Sequence, residues 1–248
     1  MKRMKGNYSN SGELLIFSHI PKTAGTTIRR IIDNQYDKTR IIRFPQLDML
    51  SAEQLNQTEV LYGHCRFGVH RHFDQSFSYI TMLRDPVERI ISTYYFALRS
   101  PKNRMHEKVK NMSFPDFIFD ETRDGRSPLV NHQTRFLSGE KIPDLEKAKE
   151  NMHEHYTVVG LTEMFDESIF LMKKYLDWNE IDYSSSNVTN NRPKQNDMPK
   201  EVIELIREKN DLDYRLYEYA KQLLLDNMKA LDSASKREFR TFINNRSI

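Results

Sequence analysis

The chain has 248 residues, 38% of them hydrophobic and 29% charged, with a formal net charge of +3; that suffices for one α/β domain with a substantial core, or at most two small ones, and is too weakly basic to mark a nucleic-acid binder. One cysteine, Cys65, excludes an internal disulfide and a multi-cysteine zinc site, so a reducing compartment is expected. The basic start, residues 1–8, runs into polar residues instead of a long apolar stretch, which predicts neither signal peptide nor membrane anchor and a soluble, cytoplasmic protein.

The apolar run Leu14–Ser18 reads as the first strand and residues 26–36 as the first helix, with Ile28, Ile31 and Ile32 on one face. Between them stands Pro21-Lys22-Thr23-Ala24-Gly25-Thr26-Thr27. N–H groups at a helix N-terminus point outward with the positive end of the helix dipole, so an anion placed there is held by backbone donors. Gly25 lets the backbone approach closely, Lys22 adds a full charge, and Thr23, Thr26 and Thr27 add hydroxyls without bulk. The Walker A pattern needs its lysine directly after its second glycine; here Lys22 comes three residues before Gly25. An ordinary nucleoside triphosphatase is therefore disfavoured, a shorter loop gripping a nucleotide phosphate is not, and a plain lysine-threonine turn is the alternative.

Residues 59–63 read as a short strand and Phe77–Leu83 as a central one, nearly continuous in apolar side chains. The latter ends at Arg84-Asp85-Pro86, where Asp85 is placed to cap and Pro86 to open a helix carrying Val87, Ile90, Ile91, Tyr94, Tyr95 and Leu98. Arg84 thus stands at the carboxyl end of a strand, the ligand edge of an open α/β sheet, and Ser92 falls on the helix face of Asp85 and Arg89. Arg84 and Ser92 read as a second phosphate grip, or else Arg84 pairs with Asp85 or Glu88 as a structural ion pair. Further helices are expected at 114–119, 129–137 and 144–153, a buried strand at Tyr156–Leu161 and an amphipathic helix at Phe165–Tyr175. Residues 183–199 turn to Ser, Asn, Thr, Arg and Lys with two prolines, a polar loop of a length that is usually functional or disordered. A last helix over 201–228 carries a stripe of Ile203, Ile206, Leu212, Leu216, Tyr219 and Leu223. Strands alternating with helices predict a parallel sheet covered on both faces: one α/β domain over 13–230, with a flexible N-terminal tail at 1–12 and a C-terminal tail at 231–248.

Pro21 to Thr27 resembles the loop that binds the 5′-phosphosulfate of 3′-phosphoadenylyl sulfate (PAPS), and Arg84 to Tyr95 resembles the segment that binds its 3′-phosphate. Both belong to sulfotransferases, and the chain is most similar to the group of heparan sulfate 2-O-sulfotransferase and its soluble bacterial relatives. The likeness continues through Tyr62-Gly63-His64, Val159-Gly160-Leu161-Thr162-Glu163 and Asp213-Tyr214-Arg215-Leu216-Tyr217-Glu218-Tyr219-Ala220, in an order the family shares from about Leu15 to Leu224. The resemblance implies a P-loop-like parallel sheet with additional helices over an acceptor cleft, PAPS as sulfate donor and 3′-phosphoadenosine 5′-phosphate (PAP) as product. It puts Lys22 near the bridging oxygen of the phosphosulfate, Thr23, Ala24, Gly25, Thr26 and Thr27 around the 5′-phosphate, and Arg84 with Ser92 on the 3′-phosphate. Asn190, Arg192 and Lys194 fall where the family places a flap over the nucleotide. His64 matches the histidine that serves the animal 2-O-sulfotransferases as general base.

Those residues suit the chemistry. Sulfuryl transfer needs a base for the proton of the acceptor hydroxyl and a cation where charge collects on the leaving phosphate oxygen. Histidine is the side chain that titrates near neutrality, and Lys22 with the helix N-terminus supplies the cation. No metal is required, and a site built from His64, Cys65, His70 and His72 is disfavoured, because adjacent residues rarely point at one ion and Arg66 and Arg71 would repel it. Arg66 and Arg71 face either an acidic or sulfated acceptor or simply solvent. Glu88 and Glu163 are candidates for steering near the site, Glu88 with an ion pair to Arg84 or Arg89 as the alternative; Arg135, in a segment common in bacterial members, is placed near the acceptor cleft. The acceptor is expected to be a hydroxyl-bearing small molecule or glycan, with no nucleic acid, no membrane insertion and a homo-oligomer left open. Two other readings remain: a phosphoryl-transferring P-loop enzyme and a non-catalytic nucleotide-binding module.

Overall fold

Five strands, β1 (Leu14–Ser18), β2 (Ile41–Arg43), β3 (Val60–Gly63), β4 (Phe77–Leu83) and β5 (Tyr156–Leu161), form one sheet in the order β2-β3-β1-β4-β5. All neighbours run parallel. The structure is a computed structural model and describes residues 13–122, 127, 129–183, 193 and 195–244. β1 lies at the centre, with Leu14, Leu15, Ile16 and Phe17 at most 1% exposed, so its side chains are enclosed on both faces, as a parallel sheet requires.

Eleven α-helices occur among the described residues: α1 (Gly25–Gln35), α2 (Ala52–Asn56), α3 (Pro86–Arg99), α4 (His106–Val109), α5 (Phe114–Thr122), α6 (His132–Ser138), α7 (Leu145–His155), α8 (Phe165–Tyr175), α9 (Lys200–Lys209), α10 (Asp211–Ala230) and α11 (Ser233–Asn244). The main core lies between the sheet and α1, α7, α8 and α10. A second apolar cluster joins α3 through Val87, Ile90 and Ile91 to Phe117 of α5 and Ile203 and Ile206 of α9. This packing anchors α3, whose start is fixed as expected: the Asp85 carboxylate accepts from the Glu88 N–H at 3.0 Å and Pro86 occupies the first turn. No helix of the described residues is long and apolar enough to cross a membrane.

Several expected elements change. The helix expected over 201–228 is two, broken at Asn210, which is fully buried and whose side-chain carbonyl accepts from the Asn131 N–H at 2.9 Å. The tail expected at 231–248 contains α11, which is bound to α8 by Phe242 and Phe239 against Phe170. The helix expected from residue 129 starts at His132, because Asn131 takes a left-handed conformation with φ 46°. β2 and α2 carry no clear apolar period and were not expected.

The order of the strands positions the site. From β1 the chain moves to β2 and β3 on one side, then crosses β1 to reach β4 and β5 on the other. The carboxyl ends of β1, β3 and β4 are therefore adjacent, with Ser18 in register with Gly63 and Phe17 with Ile80. This is the switch point at which ligands bind in open α/β sheets.

Candidate active site

The loop after β1 turns sharply into α1. Lys22 and Ala24 both take positive φ, 71° and 60°, a backbone that turns successive N–H groups toward one side as an anion-binding nest does. Ala24 is the N-cap of α1, and its carbonyl accepts from the Thr27 and Ile28 N–H groups. The N–H groups of Gly25 and Thr26 have no acceptor among the described residues, and the first turn carries no acidic side chain. The cradle thus fits an anion such as a phosphate. Of the three threonines, Thr26 is exposed at its mouth, while Thr27 is buried. Thr23 is buried too, and its hydroxyl donates to the Ile20 carbonyl at 2.8 Å: it braces the loop from beneath, and only its backbone is left to serve the cradle.

Arg84, leaving β4, reaches across to this loop. Its Nη1 donates to the Lys22 carbonyl at 3.2 Å and its Nη2 meets the Glu88 carboxylate at 3.5 Å, so the ion pair with Glu88 exists but is longer than the 2.7–2.9 Å of a strong charge-assisted bond. The Lys22 ammonium lies over the Phe96 ring, 3.8 Å from its centroid. Glu88, Ser92 and Phe96, four residues apart, share one face of α3; with Glu88 tied to Arg84 and Phe96 under Lys22, half-buried Ser92 stands between them, beside the loop. Arg89, expected on the Ser92 face, instead turns into the core, where it is 1% exposed and donates to the Leu129 carbonyl at 2.9 Å.

His64 leaves β3 on the other side of β1. Its Nδ1 lies 2.8 Å from the His19 carbonyl; a carbonyl only accepts, so Nδ1 is the donor and Nε2 is the ring nitrogen left for another partner. The His19 N–H in turn donates to the Gly63 carbonyl at 2.8 Å, which laces the ends of β1 and β3 together. His19 was not singled out from the sequence, yet its ring sits 4.6 Å from that of His64 and 5.5 Å from Phe17. A Cβ built on Gly25 would overlap its imidazole. Gly25 is required by that contact. Loss of water on burial, then the charges of His64, Arg29 and Lys22, push the His19 imidazole down to about 3, so it stays neutral. The readable signal was its place, one residue past the central strand.

The remaining candidates divide between support and surface. Glu163 accepts from the Asp85 N–H at 3.2 Å and the Tyr217 hydroxyl at 3.1 Å, bracing the start of α3. The Glu88 carboxylate also accepts from the Gln195 N–H at 3.2 Å. Gln133, fully buried on α6, accepts from the Arg84 N–H and donates to its carbonyl, both at 2.9 Å. His70 stacks on Phe77 at 3.9 Å, and the Tyr79 hydroxyl, which accepts from the Gly68 and His70 N–H groups, is left to donate to its Nδ1 at 2.9 Å. Cys65 is buried, its thiol pushed up to about 12 by loss of water. Asn190, Arg192 and Lys194 lie outside the described residues.

An anion cradle after the central strand, flanked by a histidine from one neighbouring strand and an arginine from the other, is a P-loop-like α/β layout. The chain belongs to the Sulfotransferase family, whose profile matches residues 10–220. It is 24% identical to human uronyl 2-sulfotransferase over 163 residues, 57% of this chain and 39% of that protein. With heparan sulfate 2-O-sulfotransferase 1 of Xenopus laevis it shares 25% over 197 residues, 66% of this chain and 54% of that protein. The chain therefore spans about half the length, or less, of these curated relatives. A crystal structure of mouse sulfotransferase SULT7A1 complexed with PAP aligns at a TM-score of 0.36 and 11% identity, over 94% of this chain and 84% of that one.

Proposed function

We propose that the protein is a PAPS-dependent O-sulfotransferase in which His64 is the general base and Lys22 stabilises the leaving phosphate oxygen. Family membership supports the reaction class, and the names of the relatives, uronyl and heparan sulfate 2-O-sulfotransferases, support a glycan hydroxyl as acceptor. The observation that carries the mechanism is the bond from His64 Nδ1 to the His19 carbonyl, because it occupies Nδ1 and leaves Nε2 as the nitrogen that can take the proton of an acceptor hydroxyl.

The donor, when bound, supplies the activated sulfuryl group. Gly25 and Thr26 N–H groups hold its 5′-phosphate, with the exposed Thr26 side chain at the mouth of the cradle and Thr27 following it in the first turn of α1. Arg84 and Ser92 take the 3′-phosphate, Arg84 loosening its long contact with Glu88 to do so. Asn190, Arg192 and Lys194, which lie outside the described residues, keep the nucleotide-binding role that the resemblance gives them. His64 Nε2 accepts the proton of the acceptor hydroxyl, and Lys22, released from the face of Phe96, meets the charge that develops on the leaving oxygen. Positioning and electrostatics supply most of the rate in such a transfer.

Transfer from labelled PAPS to a panel of glycan acceptors tests this reading. Lys22→Ala is expected to abolish transfer, and His64→Ala to lower kcat by about 10²–10⁴-fold, the range of a lost general base, with PAP affinity in calorimetry held within about twofold. Full activity in His64→Ala removes the base assignment. Magnesium-dependent ATP consumption with no response to PAPS replaces the whole reading with phosphoryl transfer.

A further inference from the structure

Arg66 follows His64 by two residues, and the two exposed side chains flank the buried Cys65. The segment is fastened to α6 at two points. The Phe67 N–H donates to the Phe136 carbonyl at 2.9 Å. Gly139, the C-cap of α6 at φ 78°, lies so close to the Phe67 carbonyl that a Cβ there would be 2.6 Å from its oxygen. This fastening sets Arg66 beside Arg135, the residue before Phe136. Arg135 is half-buried; its Nη2 donates to the Val130 carbonyl at 3.2 Å, and its Nε is buried with no hydrogen-bond partner among the described residues.

Two guanidinium groups placed together concentrate positive charge and favour an anion between them. No ion pair among the described residues includes either one. The carboxylate whose charge reaches Arg135, Asp213, is fully buried and accepts instead from the Gln133 and Thr134 N–H groups and the Thr134 hydroxyl, at 3.1, 2.7 and 2.8 Å. Burial, then the charge of Arg66, pushes the Arg135 guanidinium down. An anion that bridges both groups relieves this repulsion, and a carboxylate or sulfate matches the planar donor fork of arginine.

We propose that Arg66 and Arg135 form a subsite for an anionic substituent of the acceptor, a carboxylate or a sulfate, held two residues from the base. The subsite rests on the sulfotransferase reading above for the identity of His64 as base, and it selects among acceptors: a hydroxyl whose own molecule carries a nearby negative charge is anchored for proton removal, and a neutral sugar is not.

The test uses the full chain with PAP and three octasaccharide probes: heparosan, whose uronates are its anions, its carboxyl-reduced form, and the carboxyl-reduced form bearing O-sulfates. Calorimetry is expected to show heparosan, the sulfated form or both binding about tenfold or more tighter than the neutral one, which also separates carboxylate from sulfate recognition. In Arg66→Gln, an exposed position where folding is not at stake, that preference is expected to fall to about twofold, and Arg135→Gln gives a second reading of the same ratio. Equal binding of charged and neutral probes, or a preference that survives Arg66→Gln, overturns the subsite. Transfer from labelled PAPS is measured in parallel. Charge-selective binding that Arg66→Gln erases, without transfer to any probe, keeps the subsite and overturns the sulfotransferase reading; transfer to charged and neutral probes with equal kcat/KM does the reverse.

Discussion

At the scale of single residues, the site depends on backbone that most side chains avoid. Lys22 and Ala24 hold left-handed conformations that cost on the order of 1 kcal/mol or more each outside glycine. The surroundings impose them: Thr23 is fixed under the loop by the Ile20 carbonyl and Arg84 grips the Lys22 carbonyl. Gly25 is the contact between this loop and His19, so Gly25→Ala is expected to drive the His19 ring out of its place against His64. A shift of about 1 Å in His64, the proposed base, is expected to lower kcat/KM by about 10²-fold, and the PAP affinity to fall with it because Gly25 lines the cradle. Steady-state kinetics with PAPS and calorimetry with PAP check both; wild-type values in Gly25→Ala would contradict the packing of His19 over the loop. The sequence marked this loop, its lysine and its glycine, since strand, turn and helix follow each other within a few residues. It did not distinguish the roles of the threonines, because which hydroxyl turns inward depends on two left-handed residues that no pattern announces.

At the scale of elements, α6 is held by groups far along the chain. Asp213 opens α10 yet caps α6, accepting from Gln133 and Thr134 across 80 and 79 residues of sequence, and its charge also faces the fully buried Arg89. Burial pushes the Asp213 carboxyl up, against these donors and the charge of Arg89. Asp213→Ala removes the cap and leaves Arg89 without its counter-charge, so a loss of about 3 kcal/mol is expected, read as a lower urea midpoint with little change in slope. A variant within about 0.5 kcal/mol of wild type would contradict that role. This long-range capping explains what local reading could and could not supply. β1, β4, β5 and α8 were legible at both ends, because each has a continuous apolar run or a clear period. The start of α6 and the break between α9 and α10 were not, since both depend on Asn131, Asn210 and Asp213 meeting in space. β2, three residues long at the edge of the sheet, offers too short a pattern to read.

At the scale of the whole molecule, alternation of strands and helices predicted a parallel sheet but not the order of its strands, and the order makes the site: β3 and β4 flank β1, so His64 and Arg84 meet the loop after it. The same convergence crowds cationic groups around His19 and gives the fold a measurable pH response. Burial holds His19 at about 3 and His70 at about 4, while an unfolded chain returns both to about 6.5. The unfolded state therefore binds more protons below that value, so the stability these residues provide is fully present above about pH 6.5 and is lost as the pH falls toward their folded values. For His19 the loss between pH 7 and pH 5 is about 2 kcal/mol, with a smaller share from half-buried His70. Asp85 and Asp213, raised by burial, act in the opposite sense, which is why the informative quantity is a difference between variants. Urea unfolding at pH 7, 6 and 5 is expected to show wild type losing stability with acid, and His19→Asn losing about 2 kcal/mol less over the same interval whatever its stability at pH 7. Equal losses in the two proteins would mean that His19 takes up a proton in the folded state, and the neutral ring beside His64 would have to be given up.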